Sequence, residues 1–176
     1  MPGLGAALAS IGFGAIVTFA SLLFVAHGWT PVWLAFTSYA VALIAARLLF
    51  GHLPDRVGGA KVALLFVLIE TAGLALMGLA SSAGAAAVGA ALTGLGYSLV
   101  FPGLGVEAVR RAPPESRGVA MGAYTACLDL ALGVSGPALG LVASGAGLGA
   151  VFLVSAFVVL GAAVVAVRLL RAPSVA

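Results

Sequence analysis

Six long apolar stretches constrain this chain more than any other feature of its sequence. Each is close to the roughly 20 residues that a helix needs to cross the hydrocarbon of a bilayer. Their length and their richness in Ala, Leu and Gly, without alternation of polar and apolar residues, predict helices rather than strands. We place the stretches near residues 3–26, 31–52, 61–80, 84–107, 118–142 and 148–170.

The composition supports a membrane protein. Of the 176 residues, 63% are hydrophobic and only 7% are charged, whereas about 25% of the residues in a soluble domain are charged. The sequence therefore predicts an all-α, polytopic membrane protein whose residues 1–176 form a single six-helix bundle.

The positions of the basic residues predict the orientation of this bundle. All eight lie in or beside alternate connections or in the C-terminal tail: Arg47, Arg56, Lys61, Arg110, Arg111, Arg117, Arg168 and Arg171. Connections rich in Lys and Arg stay in the cytoplasm, so we expect both termini to be cytoplasmic.

No basic residue precedes the first apolar stretch, and no signal-peptide cleavage site is clear. We therefore expect a missing segment upstream.

The fifth stretch carries an acid, Asp129, on a face of small residues. At helical spacing this glycine stripe contains Gly118, Gly122, Thr125, Asp129, Gly133, Gly136 and Gly140. Small residues let membrane helices approach closely, and an acid in mid-bilayer is costly unless it faces protein or water. We therefore predict that the stripe packs against protein. Asp129 is then either the functional acid of the chain or a structural hydrogen-bond partner, and its spacing leaves both roles open.

Other charged residues and two prolines add further candidates. Glu70 lies near the middle of the third stretch, where we favour a structural hydrogen bond to a neighbouring helix over a secondary functional role. We predict that Glu107 belongs to a cytoplasmic charge cluster with Arg47, Arg110 and Arg111. Within it we expect Glu107 to pair with Arg47 or Arg56, because partly desolvated carboxylates are seldom unpaired. Kinks are expected at two prolines inside apolar stretches, which are Pro102 and Pro137.

The connection between the second and third stretches resembles a known loop. Its residues Gly51, Leu53, Asp55, Arg56 and Gly58 match the Gly-x-Leu-x-Asp-Arg-x-Gly pattern of the major facilitator superfamily. Members of that superfamily carry this loop between helices two and three, with a weaker copy between helices eight and nine. Lys61 follows Gly59 and Ala60 here, where paired basic residues are usual. We expect Gly51 to allow a close helix approach, Pro54 to end the second helix, and Asp55 to accept hydrogen bonds from a helix N-terminus.

Two later segments extend the resemblance over nearly the whole chain. Residues 92–113 and 117–141 look like helices ten and eleven of the superfamily, and are similar to bacterial exporters of the arabinose-efflux-permease-like type. The resemblance implies the C-terminal six helices of a twelve-helix secondary transporter in the bacterial inner membrane. It also implies a small-molecule solute, efflux and proton coupling by antiport, and an N-terminal six-helix half, or a second copy, as partner.

Several functions are not supported by the sequence. It contains no phosphate-binding loop for ATP, no group of residues that predicts a metal site, and no basic and aromatic pattern typical of nucleic-acid binding. We therefore expect no cofactor, no metal and no enzymatic activity. The alternative to transport is a membrane fragment or scaffold that lacks its partner half.

Overall fold

The computed structural model describes residues 1–171 as helices joined by short connections. Seven α-helices are present in this range: α1 (Pro2–Ala26), α2 (Leu34–Phe50), α3 (Leu53–Val57), α4 (Gly59–Gly78), α5 (Ala83–Arg110), α6 (Arg117–Ala146) and α7 (Leu148–Arg171). A single 3-10 turn, Pro114–Ser116, precedes α6. The all-α prediction is thus confirmed, and the predicted apolar stretches correspond to α1, α2, α4, α5, α6 and α7.

Five of these helices are long and apolar enough to cross a membrane by length and composition. The exception among the six is α2, which is apolar but has only 17 residues. At a rise of about 1.5 Å per residue it still approaches the thickness of the hydrocarbon layer. The predicted second stretch, 31–52, was longer at both ends: its first three residues belong to the connection after α1, and its last two belong to the turn before α3.

The helices form a bundle of which one side, here called the back, is closely packed, and the other side, here called the front, is poorly covered. At the back, α4 packs against α5 and α7, and α7 packs against α1. At the front, α2 lies on α5 and α6 lies on α1. The front helices are poorly covered, since only 11% of the apolar window of α6 is buried. We call the surface formed by α1, α2, α5 and α6 the open face.

A glycine seam holds α4 against α5. Gly89, Gly96 and Gly103 follow one another at seven-residue intervals along α5, the spacing of a helix contact line. A Cβ at Gly96 would lie 2.6 Å from both Cα and Cβ of Glu70, and a Cβ at Gly73 would lie 2.6 Å from the carbonyl oxygen of Gly89. These helices therefore touch backbone to backbone, which only glycine permits.

The glycine stripe of α6 does not pack in this way. A Cβ placed on any of its glycines would meet no atom within 4 Å in the described chain: Gly118, Gly122, Gly133, Gly136 and Gly140. The prediction that this stripe packs against protein is therefore wrong within residues 1–171. The side chains that α6 buries are instead Tyr124, Ser135 and Leu139, which lie on a different face.

The two candidate kink prolines both lie inside continuing helices. Pro102 is within α5 and Pro137 within α6. Next to Pro102, the hydroxyl of Tyr124 donates a 2.6 Å hydrogen bond to the carbonyl oxygen of Phe101. This bond joins α6 to α5, while the kinks themselves stay predictions.

Candidate functional site

The most unusual group in the bundle is the carboxyl of Glu70, in the middle of α4. Its exposed fraction is 0%, and neither carboxyl oxygen has a hydrogen-bond partner in the described chain. Gly12 of α1 faces it so closely that a Cβ there would lie 2.5 Å from Oε1 of Glu70. The structural hydrogen bond expected for Glu70 is therefore absent among residues 1–171. An ionised carboxylate without a partner is costly in such surroundings.

Two tyrosines lie at a depth similar to that of Glu70. Tyr97 of α5 makes a 3.3 Å hydrogen bond through its hydroxyl with Oγ of Ser10, and Ser10 donates a 2.7 Å bond to the carbonyl oxygen of Ala6. Since the Ser10 hydroxyl proton is already donated, Tyr97 is the donor between the two hydroxyls. The hydroxyl of Tyr39, on α2, is buried without a partner.

A phenylalanine lies between these tyrosines. The ring of Phe13 stacks on Tyr97 with centroids 5.5 Å apart, and its centroid lies 6.1 Å from that of Tyr39. We name Ser10, Tyr39, Glu70 and Tyr97 the mid-span polar cluster. It draws one residue from each of α1, α2, α4 and α5.

Tyr97 also connects this cluster to a cavity on the open face. The cavity has a volume of about 200 Å³ and is lined by Tyr97, Arg47 of α2 and Leu128 of α6, among others. It is large enough for several water molecules, each of which takes about 30 Å³ in the liquid. Tyr97 therefore contacts both the buried polar cluster and a space that opens between α2 and α6.

Asp129 lies beside this cavity in sequence but is not buried. It follows the cavity residue Leu128, and its side chain is exposed on α6. It forms no ion pair with the basic residues of the described chain. The sequence-based prediction of an interior acid is thus not met within residues 1–171, because the stripe that carries Asp129 faces outward from this bundle.

Glu107 forms a charge cluster with two of its predicted members, Arg110 and Arg111. Its Oε2 accepts a 3.2 Å bond from Nε of Arg111, and its Oε1 lies 3.9 Å from Nη1 of Arg110. Oε1 also accepts a 3.3 Å hydrogen bond from the backbone N–H of Ala60. The predicted pairing with Arg47 or Arg56 is wrong: neither forms an ion pair with Glu107 in the described chain.

This arrangement joins three helices at one end of the bundle. Arg111 donates a second bond, of 2.7 Å, to the carbonyl oxygen of Leu169 near the end of α7. Glu107 meanwhile supplies the acceptor for the first turn of α4, where the N–H groups of a helix have no intrahelical partner. The sequence-based prediction had assigned such a role to Asp55, which is exposed and makes no hydrogen bond of this kind within residues 1–171.

The loop residues matching the superfamily pattern are only partly placed as expected. Gly58 adopts φ +106°, which favours glycine, and so forms the tight turn before α4. Gly51 is exposed, and no other helix lies close to it; the close approach occurs at Gly59, where a Cβ would collide with the carbonyl oxygen of Gly103. Pro54 does not end α2, because α2 ends at Phe50 and Pro54 lies in the first turn of α3.

Arg56 is exposed on α3 and forms no ion pair in the described part of the chain. No group of three or more His, Cys, Asp or Glu side chains suited to holding a metal ion occurs among the described residues.

Comparison with known proteins places this fold in a family. Residues 3–176 match the sequence profile of the Major Facilitator Superfamily. The chain belongs to this superfamily. Two relatives come from Salmonella. The uncharacterized MFS-type transporter STM4428 of Salmonella typhimurium is 49% identical to this chain over 165 residues. The uncharacterized MFS-type transporter YhhS of Salmonella enteritidis is 43% identical over 171 residues.

These matches cover the chain almost completely but the relatives only in part. They include 93% and 97% of this chain, yet only 42% of each relative. Among solved structures, a mutant of the peptide transporter POT in complex with sulfate superimposes with a TM-score of 0.83 at 18% identity, over 95% of this chain and 36% of that one. The likeness at such low identity supports the fold of this Major Facilitator Superfamily chain, and not its substrate.

Sequence reasoning identified Glu70, Asp129 and Glu107 but missed Tyr39 and Tyr97. The signal that could have found them is depth: counted from the basic ends of α2, α4 and α5, Tyr39, Glu70 and Tyr97 lie about three to four turns in. Buried tyrosine hydroxyls usually find a polar partner, so two tyrosines at the depth of a buried acid indicate a polar site.

Proposed function

We propose that this chain forms one six-helix half of a secondary transporter that moves a small solute across the bacterial inner membrane. In transporters built from repeats, the solute site lies near the membrane midplane, where the repeats face each other. The open face presents the cavity beside Tyr97, and the exposed acid Asp129 directly follows the cavity residue Leu128 in sequence. The chain spans about two fifths of its curated relatives, which leaves room for a second set of helices.

We further propose efflux coupled to protons, with Glu70 and Asp129 as the acids involved. The observation that carries this is the burial of Glu70 with both carboxyl oxygens unpartnered. Ionisation of Glu70 in this state would leave a buried charge without compensation. A conformational change that admits water, or brings Arg47 toward the acid, would let the proton leave, and so would couple the change to proton movement.

Asp129 differs from Glu70 in this proposal because it is exposed rather than buried. It is exposed on the open face, beside Leu128 of the cavity. When a second six-helix unit covers this face, the acid lies between the two units, where it can contact a solute or a basic side chain of the partner. The exposed glycines around it allow such a unit to approach closely.

Amide substitutions in the full-length transporter test these roles. The chain is fused to the N-terminal helices of the Salmonella typhimurium relative, and solute uptake driven by a pH gradient is measured in inside-out vesicles. Asp129→Asn and Glu70→Gln keep the shape of the side chain but remove the titrating proton. We expect folded proteins that no longer respond to the pH gradient.

Glu115→Gln is the matched control, because Glu115 is an exposed acid outside the membrane-spanning stretches. It should retain the pH response of the parent. Normal transport with full pH dependence in both amide variants would contradict a role of these acids in proton coupling. Retention by Asp129→Asn alone would restrict the role to Glu70.

A further inference from the structure

A second cavity lies at the basic end of the bundle, and none of its lining residues belongs to α1, α2 or α6. It has a volume of about 170 Å³ and lies between the α3–α4 turn, the end of α5 and the end of α7. Its lining includes three basic residues, Lys61, Arg110 and Arg111, and one acid, Glu107. We call it the basic cavity. It shares no lining residue with the cavity beside Tyr97.

The charges in the basic cavity are not balanced. The two carboxylate oxygens of Glu107 are occupied by Arg111 and by the N–H of Ala60, and Arg111 is further held by the carbonyl oxygen of Leu169. Arg110 is only loosely held, at 3.9 Å from Glu107, with 56% of its side chain exposed. Lys61 forms no ion pair with any residue that the structure describes. Lys61, without an ion pair in the described residues, and Arg110, with a single long one, therefore line the same small space.

The surroundings of the basic cavity are those of a lipid-facing helix end. Lys61 begins a face of α4 on which Leu65 and Leu68 follow at helical spacing, and these leucines are 56% and 47% exposed. Leu170 of α7, at the cavity itself, is also exposed. A polar, basic space thus adjoins exposed apolar side chains on a helix that crosses the membrane. This combination matches a phospholipid, which presents a phosphate above its acyl chains.

We propose that the basic cavity binds the headgroup phosphate of an anionic phospholipid, with Lys61 and Arg110 as the principal contacts and the acyl chains along Leu65 and Leu68. The network of Glu107 and Arg111 shapes the cavity and holds α4, α5 and α7 together around it. The negative charge of the lipid headgroup complements the positive charge of the basic cavity. Each Lys or Arg close to an anionic lipid raises the affinity about fivefold. The inference does not depend on the transport mechanism proposed above.

Lipid titration of the purified 176-residue chain tests the site. Native mass spectrometry in detergent counts the phosphatidylglycerol molecules bound and gives their affinity, with phosphatidylcholine as the zwitterionic comparison. We expect one tightly bound phosphatidylglycerol. Lys61→Gln and Arg110→Gln should each weaken it about fivefold, and the double variant about 25-fold. Both side chains are exposed at the surface, so circular dichroism should show unchanged helix content.

Arg117→Gln is the matched control, because it removes the same charge from the same end of the bundle at a residue outside the cavity. Its affinity for phosphatidylglycerol should stay within twofold of the parent. Equal losses in Arg117→Gln and in the cavity variants would overturn the site and leave only a diffuse attraction. Displacement of the lipid by millimolar inorganic phosphate would overturn the lipid as occupant and indicate a free anion instead.

Discussion

Replacing Gly96 by alanine tests the backbone contact between α4 and α5. The new Cβ would collide with the backbone nitrogen of Glu70 and lie 2.6 Å from its Cα and Cβ. Carbon atoms at optimal separation are about 3.5–4.0 Å apart, so the helices would have to separate by about 1 Å. The obstacle is backbone, which no rotamer change can move.

The expected magnitude follows from two opposing effects. Overpacking in a well-packed interior destabilises by about 1–3 kcal/mol, and a backbone obstacle favours the upper end of that range. Alanine in place of glycine stabilises a helix interior by about 1 kcal/mol. Gly96→Ala should therefore destabilise the bundle by about 2 kcal/mol.

Gly133→Ala is the matched control on α6. A Cβ at Gly133 meets no atom of the described residues within 4 Å, so only the gain in helix propensity remains. The isolated chain should therefore become more stable by up to about 1 kcal/mol. The assay is unfolding of each purified variant by sodium dodecyl sulfate, followed by circular dichroism. Equal effects of the two substitutions, or a Gly96→Ala variant as stable as the parent, would refute the assignment of these two glycine faces.

Two further predictions concern the basic end and the orientation. Glu107→Gln removes the carboxylate that Arg111 and the N–H of Ala60 share, and should lower the free energy of unfolding by about 1–3 kcal/mol. The exposed Arg56→Gln should change it by less than about 0.5 kcal/mol, and a similar loss in both would contradict the network. Reporter fusions after His27 and after Arg111 should report opposite sides of the membrane; if both report one side, the predicted topology is wrong.

The helices could be predicted from the sequence because membrane insertion depends on local composition. Long apolar runs fix where a helix crosses, whatever its neighbours are. The boundaries differ by up to four residues, as at the end of α6, and the difference at α2, which ends at Phe50 before Pro54, shows one reason. There the chain turns and starts α3, and the sequence had suggested only that proline stops a helix.

Helix packing was much harder to predict from the sequence, and the two glycine faces show why. The stripe on α6 and the seam on α5 are both rows of glycines at helical spacing. Spacing shows which residues share a face but not which helix lies opposite. The seam contacts α4, whereas the glycines of the stripe have no neighbour within 4 Å of a Cβ position among residues 1–171. The partner of a small-residue face is a property of the assembled bundle.

In the candidate site, single residues could be predicted from the sequence, but their surroundings could not. Glu70 stood out because an acid within an apolar stretch is rare. Its surroundings could not be inferred, because Gly12 comes from α1 and Gly96 and Tyr97 from α5, and the sequence does not show how these helices pack against α4.

Glu107 was correctly expected to be paired, and its ion-pair partners Arg110 and Arg111 lie three and four residues further along the same helix, a spacing that the sequence shows. Only its hydrogen bond from the N–H of Ala60 depended on how closely the first turn of α4 approaches α5. The sequence does not encode that distance locally.

The most direct test of the central claim compares transport by the chain alone with transport by a two-half fusion. Both proteins are purified and reconstituted in liposomes, and each is screened against a pool of small solutes under a pH gradient. The account predicts that the fusion to the N-terminal helices of the Salmonella typhimurium relative accumulates at least one solute, and that the 176-residue chain accumulates none, because alternating access requires two halves around a central site. Solute accumulation by the homogeneous 176-residue chain, at the rate of the fusion, would contradict it.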